Sequence, residues 1–402
     1  MARWLSPLWL FLVVVGCAPQ GAGPGDVDGG TTAPDSGSLL DAGLEPDAGL
    51  PRAEIQASLF WSDAGVVDDP SVVSLATLMA AAADDGHGGA LLADWFHRFA
   101  TTAHSERALP AQFIDEVARV QGPDPTRWDL RRLPFVVTGI HNRVDLAHLA
   151  PGGHCGELRV SIASLDPTLQ PFHVLFLFRQ PLRPQDTVDG RVTCQGTARR
   201  WLELSGRSDV DRDLALRGLL AEGLTRERFL LIETVEQSLS PWEWRQWVKV
   251  PGPAQGLPFV LDNPPLFQQL DVERLNQPGP LRVDFFAWLS TRLPDAAARR
   301  LEFPERFRSP SVRAIAGVPR TVLSLDGLEV SQAPGVRAQL ELVGCAACHT
   351  ADADFVQTRA DRGISPFYRK ELDARARHLE ALARGQGTEA PFGPLQPAPV
   401  LP

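Results

Sequence analysis

The segment of residues 172–178 restricts the possible folds of this chain more than any other. Its sequence is Phe-His-Val-Leu-Phe-Leu-Phe, so both of its alternating faces are largely apolar. A β-strand presents successive side chains to opposite faces, and a strand that is apolar on both faces is typical of the interior of a covered sheet. We therefore expect a sheet that has this strand at its centre and other elements packed on both faces.

The apolar periodicity elsewhere predicts both helices and strands. Spacings of three and four residues predict helices over 71–82, 89–103, 110–120, 195–205, 211–223, 281–292, 296–302 and 366–383. Runs of β-branched and aromatic residues predict strands over 133–140, 158–163, 172–178, 228–235, 244–250 and 257–261. This order has no regular βαβ alternation. The expected fold class is α+β, with a mixed sheet and helices in a main domain and a small, mainly helical segment after it.

The first seventeen residues combine a positive charge, a short apolar run and a cysteine. The run from Trp4 to Val15 is too short to span a bilayer comfortably and has the length of a secretory signal. It ends in Val14-Val15-Gly16-Cys17, which resembles the lipobox of bacterial lipoproteins. The resemblance implies cleavage after residue 16, lipidation of Cys17 and attachment to the cell envelope, with Ala18 favouring the outer membrane. The alternative is an ordinary signal peptide with an incidental cysteine.

Composition divides the rest of the chain. Residues 17–52 are rich in Gly, Ala, Pro and Asp and have too few large apolar side chains to form a core, so a disordered tether is predicted. We assign 53–330 to an α+β domain, 336–384 to a haem segment and 385–402 to a disordered tail. The net charge of -10 argues against a nucleic-acid partner, because neutralising phosphate requires a basic face.

The strongest chemical motif is Cys345-Ala346-Ala347-Cys348-His349, preceded by a short amphipathic pattern over 336–342. A Cys-x-x-Cys-His sequence is typical of covalent c-type haem attachment. Two intervening residues allow both sulfurs to reach the porphyrin vinyl groups, and the adjacent histidine then lies beneath the iron as its proximal ligand. The segment resembles the haem-attachment region of c-type cytochromes, without the Pro-Leu pair that usually follows. A disulfide beside an incidental histidine and a zinc site are the alternatives.

The other axial ligand is left open by the sequence. No methionine follows the motif, since the only methionines are Met1 and Met79. His378, on the predicted helix 366–383, is a candidate for the distal iron ligand, and a solvated histidine is its alternative. A histidine from the main domain or an open coordination position would also be consistent with the motif.

Cys155 and Cys194 are expected to form a disulfide, because export places the chain in an oxidising compartment. A bond from either of them to Cys345 or Cys348 would exclude the haem hypothesis.

Polar residues are concentrated over 141–159, and we predict a loop there whose arginines and carboxylates form a buried network. The cluster consists of His141, Arg143, Asp145, His148, His154, Glu157 and Arg159. The histidine spacing matches no metal-binding template. The segments His141–Leu146 and Cys155–Arg159 resemble uncharacterised secreted bacterial proteins that also end in a haem motif, and this resemblance implies no activity. Trp242, Trp244 and Trp247 predict core packing, with a carbohydrate platform as the alternative.

Three functions follow from these features. The first is electron transfer in the periplasm by a lipid-anchored protein with one haem c and a redox protein as its partner. The second is a haem-dependent, peroxidase-like oxidoreductase. The third is a non-haem binding or structural lipoprotein with a Cys345–Cys348 disulfide.

Overall fold

The structure is a computed structural model. It describes residues 60–61, 65–83, 86–102, 109–149, 154–169, 172–237, 242–253, 256–266, 269–293, 302–314, 323–325, 340, 358, 364 and 366–386. The predicted signal peptide, tether and tail lie outside the described residues, as do the motif 345–349 and residues 296–301 of one predicted helix.

An antiparallel sheet lies at the centre of the fold. Its strands are β1 Phe60–Trp61, β2 Phe135–Arg143, β3 Glu157–Ser164, β4 Phe172–Arg179, β7 Phe229–Glu236, β8 Trp242–Pro251, β9 Phe259–Asp262 and β10 Ser311–Ala314, with β5 Thr187–Val188 and β6 Arg191–Val192 in a separate hairpin. The strands lie in the order β1-β2-β3-β4-β7-β8-β10, and β9 pairs with the C-terminal end of β8. The segment 172–178 lies in the middle strand, as predicted, and the α+β class is confirmed.

Eight α-helices accompany the sheet within the described residues. They are α1 Leu75–Ala82, α2 Gly88–Thr101, α3 Leu109–Gln121, α4 Gln195–Ser205, α5 Asp209–Gly223, α6 Val272–Asn276, α7 Pro280–Ser290 and α8 Pro366–Ala383. Ser74 begins α1 with a reciprocal capping box to Thr77. The predicted start of α5 at Asp211 was late, because the Ser208 side chain accepts the hydrogen bond from the Asp211 amide and caps the helix there.

The centre of one face of the sheet is apolar and is covered by α2, whose Phe99 ring centroid also lies 5.9 Å from the guanidinium of the buried Arg245. A row of side chains crosses this face through neighbouring strands: Ile140, Val160, Phe176, Ile232 and Trp247. The Trp247 ring centroid lies 4.6 Å from that of Phe99 and 6.0 Å from that of Trp95, both on α2. Trp247 Nε1 donates to Thr234 Oγ1 at 3.0 Å. Its indole is therefore part of the core, as predicted.

The C-terminal helix α8 shares the core of the sheet. Leu372, Leu379 and Leu382 are buried in the same apolar cluster as the strands. The Ala383 carbonyl at the end of α8 accepts hydrogen bonds from Gln195 and Arg199 of α4. These contacts pack residues 366–383 against the main domain. A second, smaller core joins Leu270, Leu275, Phe285, Leu289, Phe303, Phe307, Leu323, Leu325 and Leu340.

Cys155 and Cys194 form the predicted disulfide, with their Cα atoms 5.3 Å apart. The bond joins the residues before β3 to the first turn of α4, and both cysteines are buried. Gly156 follows at φ +79°, and a Cβ there would lie 2.1 Å from the Arg143 carbonyl oxygen. Glycine is required here because the chain passes β2 too closely for a side chain.

Loss of the disulfide should lower the free energy of unfolding by about 4 kcal/mol, because it closes a loop across 39 residues. The variant Cys155→Ala/Cys194→Ala, compared with wild type in urea unfolding at pH 7, measures this change. Unfolding of the wild type with and without reductant provides a second comparison. A decrease below about 1 kcal/mol in both experiments would contradict the expectation.

Candidate functional site

The predicted site residues fall into two groups. Cys155 and Cys194 lie in the fold as a pair, whereas Cys17, Cys345, Cys348 and His349 lie outside the described residues. His378 lies on α8, as predicted, and its side chain is buried, so it is not the solvated residue considered as the alternative.

The polar cluster of residues 141–159 is not confined to a loop. His141 and Arg143 belong to β2, and Glu157 and Arg159 belong to β3, where the register pairs His141 with Arg159 and Arg143 with Glu157. The prediction of a loop was wrong because hydrophobic alternation is absent where a strand buries ionised side chains. The prediction of a buried arginine–carboxylate network is confirmed by the contacts of these residues.

Two of the arginines are neutralised by carboxylates two residues away. Arg143 Nε and Nη2 each donate to an Asp145 oxygen at 3.0 Å. Arg159 Nε donates to Glu157 Oε2 at 2.7 Å, and its Nη1 lies 3.9 Å from Glu233 of β7. All of these side chains are at most 5% exposed. The face of the sheet opposite to Trp247 is therefore polar at β2 and β3, and we call the surface formed by these residues and His141 the polar face.

His141 connects the polar face to the C-terminal part of the chain. Its Nδ1 lies 2.6 Å from the Tyr368 hydroxyl of α8, and its Nε2 lies 2.8 Å from Ser161 Oγ of β3. Ser161 Oγ in turn lies 2.8 Å from Thr358 Oγ1, which is 2.9 Å from Thr138 Oγ1. Thr138 stands at the irregularity in the β2–β3 register. The five side chains form one continuous, buried chain of hydrogen bonds.

The charges of the polar face shift the pKa values of its members. Burial, and then the charges of Arg375, Arg159 and Arg143, hold the pKa of His141 well below 6.5. Burial acts to raise the pKa of Asp145, but Arg143 and Arg375 outweigh it and lower this pKa to about 2. Burial raises the pKa of Glu233, and Arg159 offsets this only in part. His141 is therefore neutral and Asp145 is ionised at pH 7.

The polar face does not have the access that catalysis requires. Ser161, His141 and Tyr368 have the residue types of a hydrolytic constellation. However, the exposed fractions are 7% for Ser161 and 0% for His141 and Tyr368, so a substrate cannot reach them in this conformation. The described part of the chain also contains no group of three or more His, Cys, Asp or Glu side chains placed to hold a metal ion. The geometry supports a structural role for the polar face.

Several residues in or against the polar face were not identified from the sequence. Thr358, Tyr368 and Arg375 lie some 200 residues after the polar cluster of residues 141–159, and Glu233 lies in an otherwise apolar run. One available signal was that Tyr368 is the only tyrosine in the chain. The heptad spacing of Tyr368 and Arg375 on a predicted helix was another.

Comparison of the chain with protein-family models, with curated proteins and with solved structures yields no match. Among the residues that the structure describes, no helix is both long enough and apolar enough to cross a membrane.

Removing one partner of a buried ion pair should lower the free energy of unfolding. Glu157→Gln leaves the Arg159 guanidinium without its closest carboxylate, and we expect the free energy of unfolding to fall by about 3–5 kcal/mol. Glu116→Gln is the matched control, because the Glu116–Arg119 pair is exposed and should contribute at most about 1 kcal/mol. Urea unfolding of both variants tests the difference, and equal effects would contradict the assigned role of burial.

Asp145 should make the protein less stable in acid. Because its folded pKa is depressed from 3.8 to about 2, its contribution is present above pH 3.8 and is lost as the pH falls towards 2. At about 1.4 kcal/mol per pKa unit, this contribution is about 2 kcal/mol. The stability difference between wild type and Asp145→Asn, measured by urea unfolding at successive pH values, should shrink by that amount between pH 5 and 2. A difference that stays constant would refute the assignment.

Proposed function

We propose that this chain is an exported lipoprotein that carries one haem c through Cys345, Cys348 and His349 and transfers electrons in the cell envelope. The observation that carries the proposal is the Cys-x-x-Cys-His motif in a chain with an export signal. Cys17 would receive the lipid, and the domain of residues 53–330 would position the haem segment for a redox partner.

The pairing of the cysteines supports this proposal. Four cysteines follow Cys17, and Cys155 and Cys194 bond to each other in the buried core. Neither of these two cysteines is then available to Cys345 or Cys348. The motif therefore keeps both of its thiols for thioether bonds to the porphyrin, which is the condition that the haem hypothesis requires.

The flanks of the motif provide a second argument. Leu340 is buried in the second core, and Thr358 is buried at the polar face. The motif thus lies in the sequence between two residues that belong to the folded body. This placement favours a haem segment attached to the main domain over one that hangs from a free tail.

The candidate axial ligands of the haem iron are histidines. His349 would bind the iron on the proximal side, and the bound haem would supply one-electron transfer between ferric and ferrous iron. Met79 is fully buried between apolar side chains in α1, so it does not serve as a thioether ligand. His378 stays the candidate for the distal ligand. A second histidine ligand would give a lower reduction potential than methionine would.

The proposal is tested by expression in a host that has the cytochrome c maturation machinery. Wild type should carry haem that survives a denaturing gel, and Cys345→Ala/Cys348→Ala should carry none. His349→Ala should lose most of its stable haem. Cys155→Ala/Cys194→Ala is the matched control, because it removes two cysteines outside the motif and should retain the covalent haem. Haem-free wild type would refute the proposal and favour a Cys345–Cys348 disulfide.

Carbon monoxide separates the carrier from the enzyme. A six-coordinate electron carrier should show little change in its reduced spectrum when the gas is added. Ready binding would indicate an open coordination position and the peroxidase-like alternative.

A further inference from the structure

We propose that the seat of helix α8 on the polar face is a pH-dependent contact, and that protonation of His141 below neutral pH releases α8 from the sheet. The inference concerns the described fold of the haem-free chain, because a bond from His378 of α8 to haem iron would itself hold the helix. It rests on the hydrogen bonds, burial and charges that meet at His141.

The contact between His141 and Tyr368 joins two distant parts of the chain. The two residues are 227 positions apart, and their rings meet edge to face with centroids 5.3 Å apart. Neither side chain is exposed to solvent. His141 thus provides one hydrogen bond between α8 and the polar face.

Arginine side chains lie near His141 on three elements, namely α8, β3 and β2 itself. Arg375 lies on α8, with its guanidinium 5.0 Å from the Tyr368 ring centroid. Arg159 is the direct cross-strand partner of His141 on β3, and Arg143 lies two residues along β2. The nearby carboxylates of Asp145, Glu157 and Glu233 lie against Arg143 and Arg159. An imidazolium at position 141 would therefore face three guanidinium groups, and like charges that face each other across strands are destabilising.

Release of α8 would hydrate this imidazolium without breaking the long ladder between β2 and β3, where a break would cost many backbone hydrogen bonds. On the other side of β2, the strand β1 pairs through two residues only, with Phe60 opposite His141. The attachments of the helix include the side chains of Tyr368, Leu372 and Leu379, the charge of Arg375 near Asp145, and two hydrogen bonds to the Ala383 carbonyl. Local opening uses the segment whose release costs least.

The direction of the pH effect follows from the depressed pKa of His141. The contribution of His141 to stability is fully present above pH 6.5 and decreases as the pH falls from 6.5 towards the folded pKa. Glu233 has the opposite sign in global unfolding, because its folded pKa is raised. Asp145 acts only below pH 3.8. A measurement on α8 between pH 7.5 and 5.5 therefore lies above the range in which Asp145 acts, and the variant His141→Gln separates His141 from Glu233.

Hydrogen–deuterium exchange of the full-length protein tests the proposal. After correction for intrinsic exchange rates, the open population of residues 366–383 should rise about fivefold between pH 6.5 and 5.5, since the released imidazole titrates near 6.5 and opening takes up its proton. Protection of Phe172–Arg179 in β4 should change much less. An unchanged open population of α8, or a parallel change in β4, would overturn the proposal.

A pair of variants assigns the effect to one side chain. His141→Gln removes the titrating group and should abolish the pH dependence of α8 exchange. His97→Gln removes a half-exposed histidine that pairs with Asp115 and should leave that dependence intact. If the His141 variant does not fold, the wild-type exchange experiment decides alone. A pH dependence that persists in folded His141→Gln would refute the role of this residue.

Discussion

The structure depends on the neutralisation of arginine side chains that are buried in the interior of its sheet. Each buried ion loses hydration worth several kcal/mol, and only close opposite charge and hydrogen bonds offset that loss. The acids that meet this requirement lie two residues from their arginines, Asp145 beside Arg143 and Glu157 beside Arg159. A register slip of one residue would turn these charges towards the aromatic rings of α2. The buried charges therefore disfavour such a slip, whatever they contribute to net stability.

The fold was predictable from the sequence where hydrophobic pattern alone decides structure. The middle strand and the helices α2 and α4 follow their apolar periodicity closely. The pattern failed at β10, whose four residues include Ser311 and Arg313, and at the two-residue strands of the hairpin β5–β6. The strand β10 is defined by its pairing with β8, which is distant in sequence, and β5 and β6 are too short to show a periodic pattern.

The site was predictable to a smaller extent, and for a related reason. Residues close in sequence revealed the arginine–carboxylate pairs, because each acid lies two positions from its arginine. The disulfide was predicted from the count of cysteines and from an oxidising compartment that was itself only expected. The contact of His141 with Tyr368 had no local signal, since its two residues belong to segments predicted independently. A chemical role for the motif 345–349 follows from spacing alone and stays a prediction.

The distance along the chain between His141 and Tyr368 has a consequence for the order of folding. Helix α8 cannot cover the polar face until residues as far along the chain as Tyr368 are present. Contacts of such high sequence separation form slowly. Before that stage, the other face can already collapse onto the aromatic side chains of α2. The polar face, which is still uncovered at this stage, is rich in arginine and carboxylate side chains, which water solvates well. An unfinished molecule would thus present a hydrated surface, where an apolar one would invite aggregation.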